Sequence, residues 1–273
     1  MEKTHPLGAK AIKMETYVDD GLPGAPSKPI LEKTLKEATE ILDSIGFSMK
    51  CITMCKQEEL DPKASSNGES VGVCGMCWYP KNDEISLAPG EINFNPNVRG
   101  KKQDNPHPVK SSADLDDSII PKSFNRSSAQ GKVSEVYDLI GLVEPLKMGF
   151  KIKVRELITK DIGWKDMIPE EQRPEWIKIF SQIQDCRLLR FKRAVIPIDA
   201  VSPSKFRLIE THDGSQHGSA TGVYAGFELK DGTFSCQLIF GRSALSDPKQ
   251  RVPRNELMSS VLGCHATYIL RKV

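Results

Sequence analysis

The last third of the chain constrains the fold most. LIETHD, ATGVYAGFEL and FSCQLIFG follow one another from Leu208 to Gly241 as three strand-like runs rich in aromatic and β-branched residues. Phe234, Cys236, Leu238 and Phe240 fall two apart, the spacing of a strand with one face on a core. Asp231-Gly232, between the second and third runs, is a strong hairpin signal because glycine takes the left-handed backbone a tight turn needs. PRNELMSSVLGCHATYILRK then reads as a helix. Three meandering strands and a helix make the opening half of a mixed α/β domain. The fold class is therefore α+β or mixed α/β, and the chain is expected to stop before its last domain is complete.

Upstream the texture is helical and irregular. Leu31, Leu35, Ala38, Leu42 and Ile45 share one helical face, with Ser27 suited to cap the start and Gly46 to end it. Phe47-Ser48-Met49 alternates like a short strand. Residues 56–70 are polar and loop-like, SVGVCGMCWYP reads as a buried strand, and a second strand is expected from Glu84 to Leu87. From Pro89 to about Ser128 the chain is rich in Pro, Asn, Ser and charge, which predicts an irregular connector. KVSEVYDLIGLVEPLKMGFKIKVRELIT regains helical patterning, divided in two by Pro145, and a further helix is expected from about Pro169 to Leu189.

The 273 residues suit two domains or one large one, and a net charge of +2 means that any nucleic-acid binding must come from local clusters. No apolar run is long enough to span a bilayer, and MEKTHPLGAK lacks the apolar centre of a signal peptide. The expected setting is intracellular, in a cytoplasmic particle or the nucleus, without a membrane partner. Seven cysteines without a secretory signal read as reduced thiols.

Two acidic pairs carry the chemistry. In METYVDDGLPG, Asp19 and Asp20 are adjacent, so an extended strand would send them to opposite faces, whereas a tight turn brings both carboxylates near one point. Such a pair suits Mg2+ (or Mn2+), which takes one or two carboxylates and completes its shell with water and phosphate oxygens. A solvated Asp-Asp-Gly turn is the plainer reading. Asp213, in THDGS, and Glu256, in PRNEL, stand at element ends and can meet across a strand–helix contact, as two-metal sites require. Read plainly, they are a turn aspartate and a glutamate complementing a helix dipole.

Cys51-x3-Cys55 and Cys74-x2-Cys77 have four-thiolate zinc spacing, but an apolar strand would turn Cys74 and Cys77 apart, so zinc is not expected. His212 and His217 flank Asp213 without a third ligand at familiar spacing. Asp-Gly-Ser occurs once and in the wrong order for an aspartic protease. RLLRFKR (Arg187, Arg190, Lys192, Arg193) and KMGFKIKVR (Lys147 to Arg155) are the basic clusters suited to phosphates, or else solvated faces.

YVDD followed by a helix and a Gly-Phe strand resembles the catalytic hairpin and following helix of a reverse-transcriptase palm. KVSEVYDLIGLVEPLKMGFKIKVRELI, GWKDMIPEEQRPEWIKIF, THDGSQHGSATGVYA and VPRNELMSSVLG then occur in the order found in Pol polyproteins of BEL/Pao long-terminal-repeat retrotransposons. Part of this region resembles a family labelled Pao retrotransposon peptidase. The resemblance runs through nearly the whole chain. It implies the end of a reverse-transcriptase palm over 1–60, a helical thumb and connection over 61–200 with the irregular connector at 89–128, and an incomplete ribonuclease H-like domain over 201–273.

It also implies that Asp19 and Asp20 are a palm metal pair, with Tyr17 and Val18 beside the primer end. Asp213 and Glu256 would be the first two carboxylates of a ribonuclease H site. The cofactor would be Mg2+ or Mn2+, and the partners an RNA/DNA hybrid or primer-template and the remainder of Pol. Cys51-Ile52 replace the family's basic residue and tryptophan, and Asp138-Leu139 its Asp-Pro, as in a divergent copy. With 18 residues before Asp19 and a chain ending at Val273, neither DNA synthesis nor hybrid cleavage is expected from this chain alone. The competing reading is an inactive nucleic-acid-binding or scaffold remnant.

Overall fold

The computed structural model describes residues 3–55, 69–88, 92, 94, 112–115 and 119–271. The chain divides into two compact units, Met1–Glu84 and Ile85–Val273. Helices and antiparallel sheets make it mixed α/β, as the sequence predicts. Among the described residues no helix is long and apolar enough to cross a membrane.

The first unit contains helices α1 (Pro6–Met14) and α2 (Lys28–Ser44), with a hairpin of β1 (Thr16–Tyr17) and β2 (Asp20–Gly21) between them. The helices approach closely because Gly8 has no side chain: a Cβ there would run into the backbone of Glu37 and Ala38. Glu37, 8% exposed, accepts hydrogen bonds from the amides of Leu7 (2.9 Å) and Gly8 (3.0 Å). It thereby satisfies two amides of the first turn of α1 that have no partner inside the helix. α2 ends as its Gly46 predicts. Gly46 lies at φ +82°, its amide bonds Asp43 O, and the Phe47 amide bonds Leu42 O. Ser27 does occupy the N-cap, but its hydroxyl makes no capping bond.

Two expectations fail in this unit. Phe47-Ser48-Met49 forms no strand, and Phe47 is 67% exposed. SVGVCGMCWYP is a hairpin, β3 (Val71–Val73) and β4 (Met76–Tyr79), rather than one strand. Val73 pairs with Met76, and Cys74 (φ +49°) and Gly75 (φ +74°) form the turn. Two consecutive left-handed residues match the twist of a two-residue hairpin, and glycine at the second position makes that conformation accessible.

β5 (Glu84–Leu87) falls where the sequence places it, with Ser86 and Leu87 buried, and is neighbour to the short β6 (Phe191–Lys192). Most of the predicted polar loop and most of the predicted connector lie outside the described residues. The connector's C-terminal end is helical. α3 (Arg126–Ser134) starts inside it, with Asn125 accepting from the Ser128 amide at 2.8 Å. α3 stops at Ser134, so the helical pattern that begins at Lys132 covers a non-helical stretch before α4 (Glu144–Thr159). Within that stretch one Asp138 carboxylate accepts from the amides of Gly141, Leu142 and Val143, each at 2.9 Å. Pro145 therefore opens α4 rather than dividing a helix. α5 (Arg173–Asp185) is the helix predicted near Pro169–Leu189, flanked by short 3-10 turns. Trp176, Phe180 and Ile183 on α5 are buried, and Phe94, Phe124 and Phe180 form a ring cluster with centroids 5.3–5.5 Å apart.

The three predicted strands are β7 (Arg207–Gly214), β8 (Gly218–Glu228) and β9 (Phe234–Leu245), in the order β7-β8-β9 and antiparallel throughout. α6 (Val252–Leu270) packs on β7 and β8. The alternation read in β9 is interrupted. Leu238 pairs with Tyr224 and Phe240 with Val223, so Ile239 is the extra residue of a bulge and packs against the Ala200, Ala225 and Phe227 cluster. Phe234 and Cys236 are exposed.

Candidate functional site

Strand alternation sorts β7 into two faces. Glu210 belongs to the α6 side: its carboxylate accepts from Thr267 Oγ1 at 3.1 Å, and a Cβ on Gly263 would run into it. His212 shares that side, with Nδ1 3.4 Å from Glu210 Oε1. Asp213 takes the opposite face and is exposed. The chain then meets the start of α6. A Cβ on Gly214 would collide with the backbone of Asn255 and Glu256, so glycine is what lets strand and helix touch there. Asn255, 2% exposed, donates its side-chain amide to Ser215 O at 2.8 Å, and the Ser246 hydroxyl donates to the same carbonyl at 3.2 Å. The Ser246 amide bonds His217 O at 3.1 Å. These bonds fasten the β7–β8 turn to the β9–α6 connection.

Asp213 and Glu256 therefore stand exposed at the same end of the sheet. In the residues that lead up to Glu256 the sequence reading passed over three cations. Lys249, Arg251 and Arg254 are exposed on the connection and first turn of α6, next in the chain to Glu256. The signal was present in DPKQRVPRNEL, but valine and proline break it into separate letters.

The second acidic pair lies on the β1–β2 hairpin. Thr16 pairs with Gly21 and Tyr17 with Asp20, leaving Val18 and Asp19 as a two-residue turn, the tight reversal the sequence predicts. Val18 is 86% exposed and lies at φ +56°, a conformation β-branched residues rarely adopt. Tyr17 is 48% exposed, Asp19 is exposed and Asp20 partly buried. Asp20 Oδ2 accepts the Cys74 amide at 2.7 Å. Burial, then the charges of Asp20 and Asp19, push the Cys74 thiol above its ordinary range.

The basic clusters differ in exposure and in the partners their cations hold. In RLLRFKR, Lys192 and Arg193 are exposed, Arg187 sits in a 3-10 turn, and Arg190 Nη1 donates back to Arg187 O at 2.8 Å. In KMGFKIKVR the cations are engaged inside the unit. Lys147 and Lys151 pair with Glu144 (2.7 and 3.2 Å), Lys153 with Glu156 and Glu175 (2.9 and 2.8 Å), and Arg155 donates to Ser246 O at 2.7 Å.

Among the described residues no group of three or more His, Cys, Asp and Glu side chains is arranged to hold a metal ion. Cys51 and Cys55 are exposed and not joined in disulfides, Cys74 sits on the β3–β4 turn and Cys77 on β4. A family model described as a Pao retrotransposon-like RNaseH-like domain matches residues 125–273, from the cap of α3 through α6 to the last residue. No curated protein and no solved structure matches the chain.

Proposed function

The chain belongs to the Pao retrotransposon-like RNaseH-like family, and from that premise we propose that it serves a retrotransposon Pol polyprotein in handling RNA–DNA hybrids, with Asp213 and Glu256 as the acids of a ribonuclease H-type site. The contact of Gly214 with the start of α6 carries this reading, because it brings the backbone at Asp213 and at Glu256 together at one end of the sheet, with Asp213 on the face away from α6. Two such oxygens suit Mg2+ or Mn2+, which leaves its remaining positions to water and phosphate. A bound cation supplies charge neutralisation at the scissile phosphate and an activated water. The chain's own part is to hold that cation through Asp213 and Glu256 and to bind flanking phosphates through Lys249, Arg251 and Arg254.

The β1–β2 hairpin is read in the same way, as a palm-type acidic turn of a reverse transcriptase. Asp19 and Asp20 would take a cation there, and Tyr17 and Val18 would lie against a primer end. The exposed, strained Val18 tip and the exposed Tyr17 support it. The second reading is a nucleic-acid-binding or scaffold domain without catalysis. The lack of a three-ligand cluster among the described residues favours it.

Titration of the full chain with Mn2+, followed by paramagnetic broadening of backbone amide signals, separates the two readings. Under the first, amides near Asp213 and Glu256 broaden at sub-millimolar ion, and Asp213→Asn removes the effect. Broadening unaffected by Asp213→Asn, or none at that end of the sheet, removes the ribonuclease H-type site and leaves the scaffold reading.

A further inference from the structure

The β1–β2 hairpin has two residue pairs, too few to be rigid by itself. One side is tied to the end of α1: the Leu22 amide bonds Glu15 O at 2.7 Å and the Gly24 amide bonds Glu15 Oε2 at 3.3 Å. The acidic side is held from a different hairpin. In a two-residue turn the flanking residues, here Val73 and Met76, make the ladder bonds, so the amide of the first turn residue is left over. That amide belongs to Cys74, and it donates to Asp20 Oδ2 at 2.7 Å across 54 residues of sequence. Left-handed backbone at both Cys74 and Gly75 is what aims it there.

We propose that the Cys74–Gly75 turn is a positioning device for Asp20: its amide engages Oδ2, sets the plane of the carboxylate and leaves Oδ1 to a divalent cation shared with Asp19. The proposal rests on the reading of Asp19 and Asp20 as a cation pair and adds what orients one of its members. Cys74 acts through its main chain and not its sulfur, so no thiol ligand is required. A carboxylate with one oxygen committed is a one-handed ligand, which suits the octahedral demands of Mg2+ or Mn2+ better than a freely rotating group. It also makes the β3–β4 hairpin part of the acidic site, although the sequence between the two hairpins gives no sign of it.

The test uses the full chain and Mn2+ alone, read by broadening of the Asp19 and Asp20 amides and by hydrogen exchange at the Cys74 amide. Gly75→Val disfavours the left-handed turn without touching either acid. The proposal expects its Mn2+ affinity at the hairpin to fall at least fivefold and exchange at Cys74 to accelerate. Cys74→Gly keeps both the amide and the left-handed turn and loses the sulfur, and is expected to bind as the parent does. If Gly75→Val fails to fold, Asp20→Asn gives the second measurement: its amide oxygen still accepts, so Cys74 stays protected while Mn2+ is lost. Unchanged affinity in Gly75→Val, loss in Cys74→Gly, or an unprotected Cys74 amide in the parent overturns the positioning role and spares the acid pair. No broadening at the hairpin in the parent, with Cys74 protected, overturns the acid-pair reading itself and the proposal with it.

Discussion

Gly214 shows how a residue without a side chain can set the approach of a strand to a helix. It follows Asp213 in β7 and abuts the backbone of Asn255 and Glu256, so its missing Cβ is what lets both acids reach one end of the sheet. Gly214→Ala has no flexible side chain to displace and must push strand and helix apart, an overpacking cost of about 1–3 kcal/mol. Gly232→Ala is the comparison. Its φ of +83° is unfavourable for alanine, but open space surrounds it, and the expected cost is about 1 kcal/mol. Urea midpoints should rank the two in that order, and the Gly214 variant should also lose its Mn2+ broadening near Asp213. Equal midpoints would mean that the strand–helix contact is softer than the backbone approach implies. That Asp213 and Glu256 stand near element ends was legible from residue type and place, although Glu256 falls just past the first turn of α6 rather than within it. The cations beside them were not, since Lys249, Arg251 and Arg254 are separated by residues that make no run.

At the scale of elements, α4 and β9 are joined by a polar strut rather than by apolar packing alone. Glu144 Oε2 accepts from the Ser243 hydroxyl and from the Ser243 amide (2.9 Å), while Lys151 Nζ bonds Ser243 O (2.8 Å) and Glu144. Burial would raise the Glu144 carboxyl, but hydrogen bonds from Lys147 and Ser243 and the charges of Lys147 and Lys151 outweigh it and hold the group below the usual range. A depressed folded value means the stabilisation is complete above the unfolded value, about 4.3 for glutamate, and is lost as pH falls through the lower folded value. Glu144→Gln should therefore destabilise the protein near neutral pH and lose the part of its acid sensitivity that falls below about pH 4.3. Urea midpoints between pH 3 and 7, taken for both proteins, check this, and parallel profiles would sink it.

Local grammar explains which elements could be read beforehand. Gly46 announced the end of α2, and Asp231-Gly232 announced the β8–β9 turn. Cys74 is not a turn residue by type, so the β3–β4 reversal was hidden. The bulge at Ile239 leaves no mark in a count of every second residue. Pro145 was seen, but a proline that breaks a helix and one that opens a helix look alike in sequence.

For the whole molecule, a net charge of +2 means that any nucleic-acid affinity depends on where cations are exposed rather than on how many there are. The Lys147–Arg155 segment has its charges paired within its own unit, and Arg190 is turned back on its own loop. Lys249, Arg251 and Arg254 are exposed beside Glu256. Charge reversal of all three to Glu should weaken binding of an RNA–DNA hybrid by similar factors for unrelated sequences and flatten the log–log salt slope by roughly three. Reversal of Arg190 and Arg193 should act in the same sense with a smaller change in slope, because two cations rather than three are reversed. Hybrid affinity measured from 50 to 200 mM salt distinguishes the segments, since a lost phosphate contact lowers the slope whereas a misfolded surface lowers affinity at every salt concentration. If the triple reversal leaves the slope intact while the Arg190 and Arg193 reversal abolishes it, phosphates enter by the β6 segment and not across the acids. The cations beside Glu256 would then be no part of a hybrid-binding surface.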